Sequence, residues 1–280
     1  MKFTRLFALG YIRAKFKILS AISKKKAAEE AFQLFCTPPT KDVKELPLIF
    51  TEAEQIHFTF HQYDIAGYRW NKGGHRKVLI LHGFESTVIN FEKYIQPFVS
   101  KGYEVLAFDA PAHGRSSGKQ VTALTYRDLI KYIHTAYGPV HSYMGHSFGG
   151  FALSLALAEM PHDNNFRAAY IAPSSETSTA ITNFFQLLSL DGKVRKEFEH
   201  IIEALSGHTV PWFSVRRTMP DVKAEILWLH DEEDMITPLS DALKVKSENH
   251  PNVHFVITRG LGHSRIYRDT EVIKRVVDFL

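Results

Sequence analysis

The chain has 280 residues, 45% hydrophobic and 12% aromatic, with 34 Lys and Arg against 30 Asp and Glu, which excludes a disordered chain and leaves ample length for one large α/β domain or two small ones. No apolar run reaches the ~18 residues of a membrane-crossing helix, and the single cysteine, Cys36, excludes an internal disulfide and fits a reducing, cytoplasmic setting, with export or peripheral membrane association left open. The net charge of +4 hides a split: residues 1–26 hold Lys2, Arg5, Arg13, Lys15, Lys17, Lys24, Lys25 and Lys26 and no acid, whereas the remainder has 26 basic and 30 acidic residues.

Residues 1–35 are predicted helical, because Phe3, Leu6, Leu9, Ile12, Phe16, Leu19 and Ile22 recur at steps of three or four. Pro38 and Pro39 stop the helix. Three readings of this basic stretch are open: a helix docked by its apolar stripe with solvated lysines, a helix lying on an anionic membrane surface, or a processed leader. The leader reading is weakened by the short run Leu6–Ile12, the Arg13 that follows it and the absence of an A-x-A site. No histidine neighbours Cys36 in sequence, so it is expected to be inert.

Alternating runs at Ile56–Phe60 and Ile65–Trp70 predict an antiparallel pair turning near His61–Asp64. From Lys77 short apolar runs follow at 78–81, 105–108, 140–144, 168–171, 226–229 and 253–257. Helical stretches lie at about 92–101, 123–137, 149–160, 240–249 and 269–280. Such alternation predicts a parallel sheet covered on both faces. The spacing breaks between Ile171 and Ile226, where a mainly helical excursion carrying Phe184, Phe185, Leu187 and Leu188 reads as an inserted cap. No repeat or low-complexity tract is present.

Chemistry concentrates in the loops after these strands. Gly145-His146-Ser147-Phe148-Gly149-Gly150 follows the run ending at Met144 and precedes a helix expected to start near Phe151. Such a tight strand-to-helix turn needs small residues, here Gly145 and Gly149, on either side of the serine, and aims helix N–H groups at it. A serine of ordinary pKa needs a base. His263, in Gly260-Leu261-Gly262-His263, follows the last strand, where open α/β sheets form ligand sites. The base needs a carboxylate, and the loop His230-Asp231-Glu232-Glu233-Asp234 offers four. Asp234 is preferred because it lies four residues before Pro238, where the next helix is expected to begin; Asp231 and Glu233 are the reserves. After the first parallel strand, His82-Gly83-Phe84 places the Phe84 N–H to join that of Phe148 as donors to an oxyanion, with His82 supporting the loop by hydrogen bonding.

Five ordered motifs make the chain, over about residues 50–280, resemble the α/β-hydrolase superfamily: His82-Gly83, the run Asp109-Ala110-Pro111-Ala112-His113-Gly114-Arg115-Ser116, Gly145-His146-Ser147-Phe148-Gly149, the Asp234 loop and Gly262-His263. Ala112 stands where that family's second motif has glycine, in a turn that is structural in the family. The resemblance implies the α/β-hydrolase fold: a mostly parallel eight-stranded sheet with helices on both faces and a helical cap after strand 6. It divides the chain into a basic extension at 1–45, a core at 46–173 and 223–280, and a cap at 174–222. It implies Ser147 as nucleophile, His263 as base, Asp234 as its orienter and Phe84 and Phe148 as oxyanion donors, with no metal and no cofactor. Serine at 147 argues against the carbon–halogen and epoxide reactions of members with aspartate there.

The expected function is a serine hydrolase cleaving an ester, thioester or amide of a small, partly hydrophobic acyl substrate. The alternatives are acyl transfer or carbon–carbon hydrolysis on the same residues, or a binding module with vestigial turnover. Nucleic-acid binding is not expected, since the positive charge is confined to one end and the recognisable binding motifs are absent.

Overall fold

The computed structural model describes residues 2–38 and 45–280, with side chains from residue 8; Pro39 and the side chains of Phe3 and Leu6 lie outside the described residues. The strands are β1 (Glu54–Phe60), β2 (Tyr63–Trp70), β3 (Arg76–Leu81), β4 (Tyr103–Phe108), β5 (Ser142–His146), β6 (Arg167–Ile171), β7 (Glu225–Asp231) and β8 (Val253–Thr258). The helices are α1 (Lys2–Ile22), α2 (Lys24–Phe35), α3 (Leu48–Thr51), α4 (Glu92–Ser100), α5 (Ala123–Tyr137) and α6 (Phe148–Leu157). They continue with α7 (Thr177–Leu188), α8 (Gly192–Ser206), α9 (Val215–Thr218), α10 (Leu239–Lys246), α11 (Gly262–Arg265) and α12 (Thr270–Phe279). The chain forms two compact units, Met1–Thr37 with Glu176–Ser214, and Pro38–Ser175 with Val215–Leu280.

The larger unit is an eight-stranded sheet in the order β1-β2-β4-β3-β5-β6-β7-β8, with helices on both faces. β1 pairs antiparallel with β2, and β2 with β4; all other pairs are parallel. The antiparallel pair turns at His61, which takes a left-handed φ of 51°. Every residue of β4 and β5 is buried, which is why the central strands read as continuous apolar runs. The chain enters the parallel region at β3, moves outward to β4 and returns across β3 to β5. The ends of β3 and β5 therefore flank a point where the winding reverses, and such points leave a crevice at the strands' C-terminal ends. Phe98 on α4 and Val272, Val276 and Val277 on α12 belong to the core cluster against one face. Tyr103 Oη donates to the Leu280 carbonyl at 2.5 Å and Lys101 Nζ to the Val277 carbonyl at 2.7 Å, satisfying the end of α12 with a hydroxyl and a cation.

The smaller unit joins two stretches far apart in sequence. The helix expected over 1–35 is two, because Ser23 leaves the helical region (φ −154°) and its hydroxyl accepts from Lys26 N at 3.2 Å, capping α2. Ala27, Ala28 and Ala31 are fully buried, and their small side chains let α2 pack closely on α8. Phe198 of α8 meets Phe32 and Phe35 edge-on, with centroids at 5.8 and 5.6 Å. Lys24 reaches Asp191 at 2.5 Å, and Asp191 also caps α8 through Lys193 N and Val194 N, each at 2.9 Å. Arg13 Nε donates to the Leu187 carbonyl at the end of α7. The N-terminal segment and the excursion, read separately from the sequence, thus share one unit. That unit stops at Ser214 rather than near residue 222, because α9 packs on α6 in the larger unit.

Phe198→Ala should destabilise by about 3–5 kcal/mol and Ala28→Leu by about 1–3 kcal/mol. Urea unfolding followed by circular dichroism measures both, and unchanged midpoints would contradict the packing described.

Candidate active site

Only Ser147 separates β5 from α6, so the helix begins at Phe148, three residues earlier than the glycines suggested. Ser147 sits at φ 54° and ψ −118°, a strained conformation for a residue with a Cβ. The close approach of two backbones explains the flanking glycines. A Cβ on Gly149 would lie 2.6 Å from the His82 carbonyl oxygen, and one on Gly145 would lie 2.7 Å from Gly150 Cα. Ser147 N donates to the Ile171 carbonyl at 3.0 Å and Ser174 N to the Ser147 carbonyl at 3.1 Å, holding the turn in place. The Ser147 side chain does not cap α6, and a first-turn N–H such as that of Phe148 has no intrahelical acceptor.

The structure brings Ser147, His263 and Asp234 together. Ser147 Oγ lies 3.0 Å from His263 Nε2, and His263 Nδ1 lies 2.7 Å from Asp234 Oδ2. Asp234 Oδ1 accepts from Ile236 N and Thr237 N at 2.9 Å each, and Oδ2 also accepts from the Thr237 hydroxyl at 2.8 Å. Burial would raise the Asp234 pKa, but the bond to His263, its charge and the two N–H donors outweigh burial and hold it below the ordinary value. An ionised Asp234 requires the proton on Nδ1, which leaves the Nε2 lone pair to accept from the Ser147 hydroxyl.

The reserves for Asp234 lie elsewhere. Glu233 is exposed. Asp231 is fully buried; its Oδ1 accepts from Glu233 N at 3.0 Å and Gly262 N at 2.8 Å. Its Oδ2 accepts from the Thr258 hydroxyl at 2.7 Å and Leu261 N at 3.1 Å. Asp231 therefore ties the loop carrying His263 to the end of β7, a role the sequence reading missed.

Three buried histidines at the C-terminal ends of strands hold the surrounding loops. His82 Nδ1 donates to the Gly83 carbonyl at 2.8 Å, and its Nε2 accepts from Ala110 N at 2.9 Å. With the Gly83 carbonyl so engaged, the trans peptide directs the Phe84 N–H the opposite way. His146 Nε2 donates to the His263 carbonyl at 3.1 Å, and His230 Nε2 to the Thr237 carbonyl at 2.7 Å. Burial lowers all three pKa values, that of His146 to about 3 with help from nearby His263, so each stays neutral.

The 109–116 turn, expected to be structural, contacts the loop that carries Phe84. His113 Nε2 contacts the Phe84 carbonyl, and Asp109 accepts from Val88 N and Arg115 N at 3.0 Å each. Ala112 takes the glycine-like φ of 67° that its place in the motif demands. The rings of Phe84 and Phe148 meet edge-on at 5.6 Å, both only partly buried. Cys36, in the other unit, is buried, and burial pushes its thiol up to about 12. Among the described residues, no group of three or more His, Cys, Asp or Glu is placed to hold a metal ion.

The neutral histidines contribute to the loss of stability in acid. A depressed histidine pKa means that the unfolded chain takes up protons which the folded chain refuses. Stability is therefore full above the ordinary value of 6.5 and lost as pH falls below it. Asp231 and Asp234, whose pKa values are also lowered, contribute stability above their ordinary value of 3.8 that is lost below it. Urea midpoints should fall from about pH 7 to about pH 4, less steeply in His146→Gln. A flat profile would contradict the assignment.

The model of the alpha/beta hydrolase family matches residues 78–275. A serine hydrolase-like protein of Dictyostelium discoideum is 34% identical over 106 residues, 35% of this chain and 29% of that protein. The uncharacterized hydrolase YugF of Bacillus subtilis is 29% identical over 105 residues, 36% of this chain and 38% of its own length. The chain thus spans about a third of the curated relatives it matches. Among solved structures, the esterase PF2001 of Pyrococcus furiosus superposes with a TM-score of 0.64 at 21% identity, covering 88% of this chain and 97% of that one. A bacterial membrane phospholipase A superposes with a TM-score of 0.62 at 17% identity, covering 100% and 98%. At these identities the structures share the fold. With the sheet order, the turn at Ser147 and the family model all in agreement, the chain belongs to the alpha/beta hydrolase family.

Proposed function

We propose that this protein is a serine hydrolase that cleaves a carboxylic ester, or a related thioester or amide, through an acyl-enzyme. The observation that carries the reading is the hydrogen-bonded chain Ser147 Oγ–His263 Nε2, 3.0 Å, and His263 Nδ1–Asp234 Oδ2, 2.7 Å, at the head of α6. The family and the hydrolase relatives support the class of reaction.

In this mechanism Ser147 Oγ bonds to the acyl carbon while its proton passes to His263 Nε2. Asp234 stays ionised and stabilises the imidazolium. The charge moves onto the carbonyl oxygen, which the N–H groups of Phe84 and Phe148 receive. Collapse breaks the bond to the leaving group, which takes the proton from His263. A water molecule then gives a proton to His263 and its oxygen to the acyl carbon. The acid departs as Ser147 recovers its proton. The half-exposed rings of Phe84 and Phe148, with Met235 and Ile236 exposed at 85% and 63% beside Asp234, favour a substrate with an apolar part.

On a p-nitrophenyl ester, Ser147→Ala should abolish turnover above background, and Asp234→Asn should lower kcat about 10⁴-fold by leaving the wrong tautomer. Asp231→Asn loosens the loop carrying His263 without touching its ring and should cost roughly 10²-fold. Steady-state kinetics of the three variants tests the reading. A large loss in Asp231→Asn beside a small one in Asp234→Asn would reverse the two roles.

A further inference from the structure

Helix α1 carries two apolar faces. Leu9, Ile12, Phe16 and Leu19 form the first, with Phe16 only 2% exposed. The second lies on the opposite side: Tyr11, Ile18 and Ile22 are 74%, 64% and 75% exposed, and exposed Ala14 continues their register at steps of three and four. A helix that only docks on its own unit presents polar residues outward. Here apolar residues face outward between cations. The stretch 1–26 has eight basic residues and no acid; Lys15 and Lys24 pair with Glu30 and Asp191 from outside it, whereas Lys17, Lys25 and Lys26 are exposed. Two such helices from separate copies would repel one another, whereas an anionic surface complements them. Arg13, Lys15 and Lys17 interrupt α1, and no helix of the described residues is long and apolar enough to cross a membrane.

We propose that the outward face of α1 is a docking surface for an anionic lipid bilayer. The helix lies along the interface, with Tyr11, Ile18 and Ile22 in the acyl boundary and the lysines at the headgroups. This assignment is independent of the Ser147 chemistry.

Vesicle flotation of the full chain tests it, with phosphatidylcholine alone and with about one third phosphatidylglycerol. At low salt the chain should bind the anionic vesicles at least about tenfold more tightly than the neutral ones, and added salt should release it. The triple variant Tyr11→Ser, Ile18→Ser, Ile22→Ser should lose most of that binding. So should Lys17→Glu, Lys25→Glu, Lys26→Glu, which leaves every apolar contact in place. Both variants should keep the parent's thermal midpoint and its turnover of a soluble ester. No binding of the parent to anionic vesicles, or unchanged binding in both variants, overturns the proposal. A parent that ignores vesicles but is a dimer, made monomeric by the serine variant, also overturns it and assigns the face to a second copy.

Discussion

The site rests on one steric constraint: the end of β3 and the start of α6 press their backbones together. A Cβ on Gly149 would stand 2.6 Å from the His82 carbonyl oxygen, so the helix can start there only as glycine. That approach forces the turn between β5 and α6 into the single residue Ser147, at φ 54°. Strain of this kind costs on the order of 1–3 kcal/mol and persists only where neighbours over-determine the conformation. Here the neighbours are the bonds through the Ile171 carbonyl and Ser174 N, and a helix buried from Gly149 to Leu157. The result lifts one hydroxyl to the end of the sheet and leaves the first N–H groups of α6 uncapped beneath it.

Around that turn imidazole serves as a backbone clamp and, in the proposed mechanism, as the base, and burial separates the two uses. His82, His146 and His230 close three strand ends, each neutral and each donating one N–H to a carbonyl, of Gly83, His263 and Thr237. Those carbonyls belong to the loops that carry Phe84, His263 and Asp234. His263 differs by facing a carboxylate at one nitrogen and a hydroxyl at the other. The two aspartates of the β7 loop divide in the same way. Asp234 binds the ring of His263, and Asp231 binds the backbone that leads to it.

Much of this was legible in the sequence because it follows from local rules. Continuous apolar runs marked the parallel strands, and Gly145, Ser147 and Gly149 marked the turn. Asp234, preferred from its place before Pro238, lies 2.7 Å from His263 Nδ1, in a loop shaped by its bonds to the nearby Ile236 N and Thr237 N. What was not legible depends on contacts between distant segments. Glycine's poor helix propensity pointed to a start near Phe151, and close packing against β3 overrode it. Nothing near Asp231 signals that Leu261 and Gly262 will turn their N–H groups toward it. His113 lies in a turn read as structural, and only the fold sets it against the Phe84 carbonyl. The charge of the first 26 residues was visible, but not that their helix shares a unit with α7 and α8. Nor was its second apolar face, since one stripe of period 3.6 masks another in a helix apolar on both sides.

The central claim, that Ser147 is the nucleophile activated by His263, is tested most directly by the site of covalent capture. A fluorophosphonate reacts preferentially with a serine hydroxyl whose proton is being withdrawn. Peptide mass spectrometry after labelling should place a single adduct on Ser147, with no adduct in His263→Ala. An adduct on another residue, or equal labelling of Ser147 in the His263→Ala protein, would contradict the account.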